Sequence, residues 1–405
     1  MAIAVASTVV VALAAALAGL AWTRTPGAGA LERLPIRAER TRAEVVAAAP
    51  PVLAEGPVRN VILLIGDGMG LAQIAAGRIL KLGSEGRLHL ERFPTIGLVT
   101  THAADTLISK SDAAATALAS GVKTSNGRIG TDSAGRPLAS LLERLRDAGW
   151  ATGLATTSRI TDATPAAFVA HLVLRKDELG IAAQLSAAQV DFLAGGGQSF
   201  FRPRRTSQAG RTDGRDLLAE MRQRGVDVVA DAAALAAAEH LPVAALFSVE
   251  PQKAEPRSPT LEAMTDKALE LLAGSGKPFF LLLEEEEIDT AAHRNDGLRM
   301  SAALQRFDAA VAKAVAFAAR DGATLVLVLG DHATGGLTID AKSGESEMVL
   351  HWASTQHTGE PVPIFAYGPP SAAGRFAGMH DNTEIPHLIA AVLGLEFPPS
   401  SALTE

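Results

Sequence analysis

Cysteine is absent from the 405 residues of this chain. That absence excludes disulfides, thiolate metal sites, thiol nucleophiles and a lipid-modified cysteine. Any transition-metal site must be assembled from histidine and carboxylate. An excess of positive charge is also missing: the net charge is −7. The chain therefore has no global attraction for nucleic acid or anionic membranes, and an anionic substrate would need local cations in its site. No internal repeat is visible, and no C/S-x-P-x-R motif of the kind that a sulfatase requires is present. Apolar residues, at 48%, are ample for a large buried core.

Residues 1–22 carry no charged side chain. A run of ~20 such residues suits an export signal and is just long enough for a membrane anchor. Arg24, Arg33, Arg37, Arg40 and Arg42 follow the run and no basic residue precedes it, the reverse of the usual secretory asymmetry. The expectation is an exported protein, periplasmic or extracellular, with cleavage and N-terminal anchoring both open. Residues 23–57, rich in Ala, Pro and Arg, read as a linker, and residues 58–405 as one catalytic domain. In that domain unalternated apolar runs at 60–66, 96–101, 151–156, 278–284, 324–330 and 363–367 suit strands buried on both faces. Helical patterns at 138–148, 261–273 and 298–320 lie between them. The alternation predicts an α/β sandwich around a mostly parallel sheet. Residues 201–259 read as a peripheral excursion and residues 340–356 as a short insertion.

Ligands of open α/β sheets bind beyond the carboxyl ends of the strands, and acids and histidines collect there in this chain. The run 60–66 leads into Asp67, the run 278–284 into Glu284, Asp289 and His293, and the run 324–330 into Asp331 and His332. Asp289 and His293 are four residues apart, so a helix would place them on one face. Singly, each has an ordinary explanation. Asp-Gly after a strand is a turn, Glu284–Glu287 a solvated face, His357 a surface residue. Together they make an oxygen and nitrogen donor set that suits zinc and magnesium.

These segments resemble the alkaline phosphatase family. The resemblance is carried by Asn60–Gly70 (NVILLIGDGMG), residues 116–124 (TALASGVKT), residues 162–176 (DATPAAFVAHLVLRK), Glu284–His293, Gly330–Gly335 and Gln356–Gly359, in order over about residues 58–397. It implies a three-layer α/β sandwich with a large, mostly parallel central sheet, and hydrolysis of phosphate monoesters at alkaline pH through a phosphoserine. It also implies two zinc ions and one magnesium. Asp289, His293 and His357 would hold the first zinc and Asp67, Asp331 and His332 the second. Asp162, Thr164 and Glu284 would hold magnesium, with Asp67 bridging. Arg175 would clamp the phosphate and Ser111 would be the nucleophile. The chemistry agrees: a serine hydroxyl needs activation, a helix N-terminus at Ser111 favours an anion, and Arg keeps its charge at alkaline pH. The family's common homodimer is a further expectation.

The sequence departs from the family beside the nucleophile. The family usually has Asp before the serine and a small residue after it; here Lys110 precedes Ser111 and Asp112 follows. The family's Asp orients the arginine, so either Asp112, from the other side, or a water is expected to take over part of that role, with Lys110 adding positive charge near the phosphate. Thr290 also stands where the family often has a charged or aromatic residue. These departures leave two other readings open: a family member with weakened catalysis, or a phosphodiesterase on the same scaffold. His89, His102, His171, His240, His351, His380 and His387 read as structural or surface residues and Met69 as core. Gly195–Gly197 read as a chain turn.

Overall fold

The computed structural model describes residues 29, 31–36, 49–204, 210–248, 250, 253 and 258–397. Residues 1–22, the export or anchor segment, lie outside them. Among the described residues no helix is long and apolar enough to cross a membrane.

The strands are β1 (Leu31–Pro35), β2 (Asn60–Gly66), β3 (Thr95–Thr100), β4 (Ala151–Arg159), β5 (Phe192–Gly196), β6 (Asp227–Val229), β7 (Val243–Leu246) and β8 (Phe279–Glu285). They continue with β9 (Thr324–Gly330), β10 (Ala333–Thr334), β11 (Leu337–Ile339), β12 (Glu347–Trp352), β13 (His357–Thr358), β14 (Val362–Tyr367) and β15 (Gly378–Asp381). Ten of them form the central sheet, in the order β15-β3-β14-β9-β2-β8-β4-β5-β7-β6. Every pairing is parallel except those of β14, which runs antiparallel to β3 and β9.

Helices cover both faces, which is why the central strands are apolar without alternation. In β2, Ile62 and Leu64 pack into one core and Val61, Leu63 and Ile65 into the other, as the two-residue period of a strand requires. The first core is closed by α1 (Leu71–Leu82), and by α5 and α7 further along the chain, which span Leu261–Gly274 and Gly297–Asp321. The second is closed by α2 (Ser111–Ser120), α3 (Leu141–Asp147) and α4 (Ala163–Ala167). The result is the three-layer sandwich. Caps fix the helix ends. Asp296 accepts from the Arg299 amide to start α7, and Ser140 and Glu143 form a reciprocal capping box on α3.

Three regions differ from the sequence reading. Residues 201–259, read as a peripheral excursion, lie at the periphery but extend the central sheet: they supply β6 and β7, its last two strands at one edge. β7 is four residues long and β6 three, too short to show a period against polar surroundings. Residues 340–356 contain β12, which pairs with β11 on one side and β1 on the other. Leu31–Pro35, inside the segment read as a linker, is thus a strand. Its Glu32 accepts from Trp352 Nε1 at 3.0 Å and from the Gly297 amide at the start of α7.

Candidate active site

Four neighbouring parallel strands, β9, β2, β8 and β4, end along one edge. Gly66 lies opposite both Gly330 and Glu285, and Thr156 opposite Glu284. Adjacent strands are about 4.8 Å apart, so the segments leaving these ends are neighbours. Asp67 follows β2 and Asp331 follows β9. α6 (Glu287–His293) follows β8 and carries Asp289 and His293. Close approach is built into the backbone: Gly68 has φ +72°, and a Cβ there would stand 2.8 Å from Asp289 Oδ1.

Among the described residues, carboxylate and imidazole atoms converge in two groups, Asp289 with His332 and His357, and Asp67 with Asp331 and His332. His293 belongs beside the first. Its Nε2 is 3.0 Å from His357 Nε2 and 3.1 Å from Asp289 Oδ2. The Nδ1 atoms of these two histidines face carbonyl oxygens, of Thr355 at 2.6 Å and Ser109 at 2.9 Å. A carbonyl only accepts, so each Nδ1 carries a proton; the Asp289 hydrogen bond, against the effect of burial, raises the His293 pKa to about 9, so without a cation its Nε2 holds a second proton, shared with Asp289, in the place a cation would take. In the second group Asp67 Oδ1 and Asp331 Oδ2 are buried without a hydrogen-bond donor. They lie 3.5 and 3.3 Å from His332 Nε2. Lone pairs facing lone pairs in a buried pocket fit a cation, and His with carboxylate is a zinc-type donor set.

Electrostatics agree. Burial, then the charges of Asp331 and Asp289, push Asp67 well above the usual carboxylate range. Burial and Asp289 push Asp331 up to about 7, and burial pushes Glu284 up to about 8. Burial, with His357 beside it, holds His332 well below its ordinary value. Burial opposes ionisation of Asp289 too, but the His293 hydrogen bond and the surrounding imidazoles hold its carboxyl well below the usual range. A positive ion would let the strained acids ionise together.

Ser111 is the first residue of α2, and its Oγ lies 3.3 Å from His332 Nε2. It opens on a cleft of about 580 Å³ shared with Lys110, Asn126, Arg175, Asp289, His293 and His357. Arg175 donates through Nη1 to Asp112 Oδ2 at 3.3 Å and through Nη2 to Asp162 Oδ1 at 3.0 Å. Asp112 thus meets Arg175 from the far side of Ser111. Asp162 is not in either convergent group. Its oxygens accept from Ser158, the Ala163 amide, Arg159 and Arg175. Burial raises its pKa, yet Arg175 and Arg159 together hold it below the usual value. Glu284 accepts from Thr156 Oγ1 at 2.5 Å, and Thr164 is buried in α4.

Several supporting residues escaped the sequence reading. Thr334 Oγ1 bonds Asp289 Oδ1, Asn126 Oδ1 accepts from the Lys110 amide at 2.7 Å, and Arg159 ties Asp162 to Glu178 and Glu250. Their only signal in the sequence is proximity to the motifs. His171 packs as expected: its ring nitrogens meet the Gly130 carbonyl at 2.8 Å and Glu143 Oε1 at 3.1 Å. Met69 is fully buried, and Gly197, just past β5, turns the chain with φ +85°.

The family model described as alkaline phosphatase matches residues 58–351 and 340–395. The chain is 36% identical to the streptomycin-6-phosphate phosphatase of Streptomyces griseus, over 84% of this chain and 91% of that protein. It is 33% identical to the alkaline phosphatase of Escherichia coli K12, over 89% and 91% respectively. Among solved structures, the alkaline phosphatase of the Antarctic bacterium TAB5 superposes with a TM-score of 0.75 at 34% identity, covering 85% of this chain and 99% of that one. The strand-end acids, the serine at a helix start and the braced arginine therefore sit in a known framework, and the chain belongs to the alkaline phosphatase family of phosphatases.

Proposed function

We propose that the chain hydrolyses phosphate monoesters in two displacements through Ser111, with two zinc ions and one magnesium. The observation that carries this reading is the position of Ser111 Oγ, at a helix start, 3.3 Å from His332 Nε2 and in one cleft with Arg175. Asp289, His293 and His357 would hold one zinc, and Asp67, Asp331 and His332 the other. Glu284, Thr164 and the shared Asp67 would hold magnesium, with Asp162 beside it and turned toward the arginines. When bound, the divalent cations supply Lewis-acid stabilisation of the attacking and leaving oxygens of an in-line displacement.

The chain's own residues do the rest. Arg175 offers a planar fork to two phosphoryl oxygens and keeps its charge at alkaline pH, since Asp162 and Asp112, against the effect of burial, raise its pKa further. The start of α2 favours the anion that builds at Ser111. Ser111 Oγ bonds to phosphorus, the ester C–O–P bridge breaks at phosphorus, and the alcohol leaves with a proton. Water then attacks the phosphoserine, returning Ser111 and releasing inorganic phosphate. With a chain net charge of −7, the positive charge that holds the phosphoryl anion would come from the bound cations and from the directional fork of Arg175.

Turnover of an aryl phosphate should disappear when a chelator strips the metals and return when zinc and magnesium are restored. Full activity in protein shown metal-free by elemental analysis would overturn this proposal. A faster turnover of a diester than of a monoester, measured side by side, would favour the phosphodiesterase reading.

A further inference from the structure

Among the described residues, the carboxylate, guanidinium and ammonium groups that line the cleft are those of Asp289, Arg175 and Lys110. Asp289 is occupied by its histidines, and Arg175 is balanced by Asp112 and Asp162. Lys110 is different. It is exposed, and among the described residues no carboxylate pairs with its ammonium. Its backbone is fixed instead: the amide donates to Asn126 Oδ1, and the residue sits at the N-cap of α2 in an extended conformation. Ser111, the next residue, is only 3% exposed. Lys110 is thus the exposed neighbour of a buried nucleophile in one cleft, within reach of the solvent side, toward which the alcohol part of an ester would project.

The structure assigns Lys110, on this geometry, as a specificity-determining cation for a second anionic group carried by the leaving alcohol. The favoured substrates are phosphate monoesters of alcohols that bear a carboxylate or another phosphate. This rests on the phosphomonoesterase reading above. The transferred phosphoryl group already has the Arg175 fork, which matches its geometry bidentately. A lysine is a flexible point charge without directional demands, suited to an anion whose position varies from one alcohol to another. Among the described residues, no acidic residue other than Asp289 lines the cleft to neutralise it.

The test uses the metal-loaded protein and two aryl phosphates, one with a neutral ring and one carrying a ring carboxylate. The readout is the ratio of their kcat/KM values, so that differences in intrinsic reactivity cancel between variants. Loss of a charge-assisted contact predicts a fall of about tenfold in that ratio for Lys110→Ala, expressed in KM. Lys110→Arg should keep the ratio within about twofold of wild type. High salt should erode the preference of the wild type but not that of Lys110→Ala. An unchanged ratio in Lys110→Ala overturns the assignment. So does an equal loss for both substrates with weaker inhibition by inorganic phosphate, which would place Lys110 on the transferred group. Failure of the wild type to turn over either ester would instead overturn the phosphomonoesterase reading.

Discussion

Asp112 should govern how tightly the protein holds phosphate. Its side chain is 1% exposed. Oδ1 accepts from the Ala113 and Gly127 amides, each at 2.8 Å, and Oδ2 accepts from Arg175. Those two amides fix the carboxylate, so the arginine is held against a rigid partner. Asp112→Asn keeps an oxygen for the amides but turns the other contact into donor against donor. Breaking a fully buried ion pair costs about 3–5 kcal/mol, and an exposed pair is worth roughly 0–1 kcal/mol. Arg175 is 33% exposed and keeps Asp162, which places the loss at about 1–2 kcal/mol, or roughly tenfold in binding. Deleting a negative charge near an anion site acts in the opposite direction. In a solvated cleft that effect is about 1 kcal/mol or less at moderate salt, smaller than the loss of a bidentate fork at about 1.5–3 kcal/mol per charged hydrogen bond. The inhibition constant of inorganic phosphate should therefore rise about tenfold in Asp112→Asn, with metal content unchanged. An unchanged or tighter constant in a variant that melts like the wild type would refute the claim that Asp112 orients Arg175.

Ser111→Ala should lose on the order of a thousandfold or more in kcat, as removal of a nucleophile does elsewhere, while elemental analysis finds the same zinc; acid-quenched wild type should carry phosphoserine at position 111, and label on Ser109 would move the nucleophile. The His171–Glu143 pair, with side chains 20% and 18% exposed, should give stability a pH dependence. Burial opposes the His171 charge, but Glu143 raises its pKa above 6.5; Glu143 is likewise opposed by burial yet lowered by His171. The wild-type advantage over His171→Gln, about 1 kcal/mol, should thus be complete between the unfolded Glu and His values, ~4.3 and ~6.5. It should decline as pH rises through the raised histidine value, and as pH falls through the lowered glutamate value. Urea unfolding at a series of pH values measures it, and a difference that grows above neutrality would contradict the pairing.

The parts of this fold that were readable are those buried on both sides. β2, β8 and β9 appear as bare apolar runs because helices cover both faces, and their ends appear as abrupt acids because the sheet stops there. β6, β7 and β1 gave no such signal. β1 buries one residue of five, Leu34, and exists because β12 is there to pair with it. A strand defined by its partner has no local signature, which is why an Arg- and Pro-rich segment reads as a linker.

The same distinction divides the candidate site. Metal-ligand candidates were legible because they arrive in short clusters at strand ends, Asp331 with His332 and Asp289 with His293. What makes them one site is the order β9-β2-β8-β4, which interleaves segments far apart in the chain and cannot be read from any of them alone. The bracing of Arg175 shows the limit most clearly. Residues 112 and 162 are separated by α3 and β4, and a carboxylate on either side of Ser111 looks equally able to reach the arginine. The amides of Ala113 and Gly127, the second from a turn distant in sequence, pin Asp112 Oδ1 and leave Oδ2 to the arginine. An acceptor on the other side of the nucleophile leaves the clamp in place and frees position 110 for a different charge, so the departure from the family pattern and a lysine with no carboxylate partner among the described residues are two consequences of one exchange.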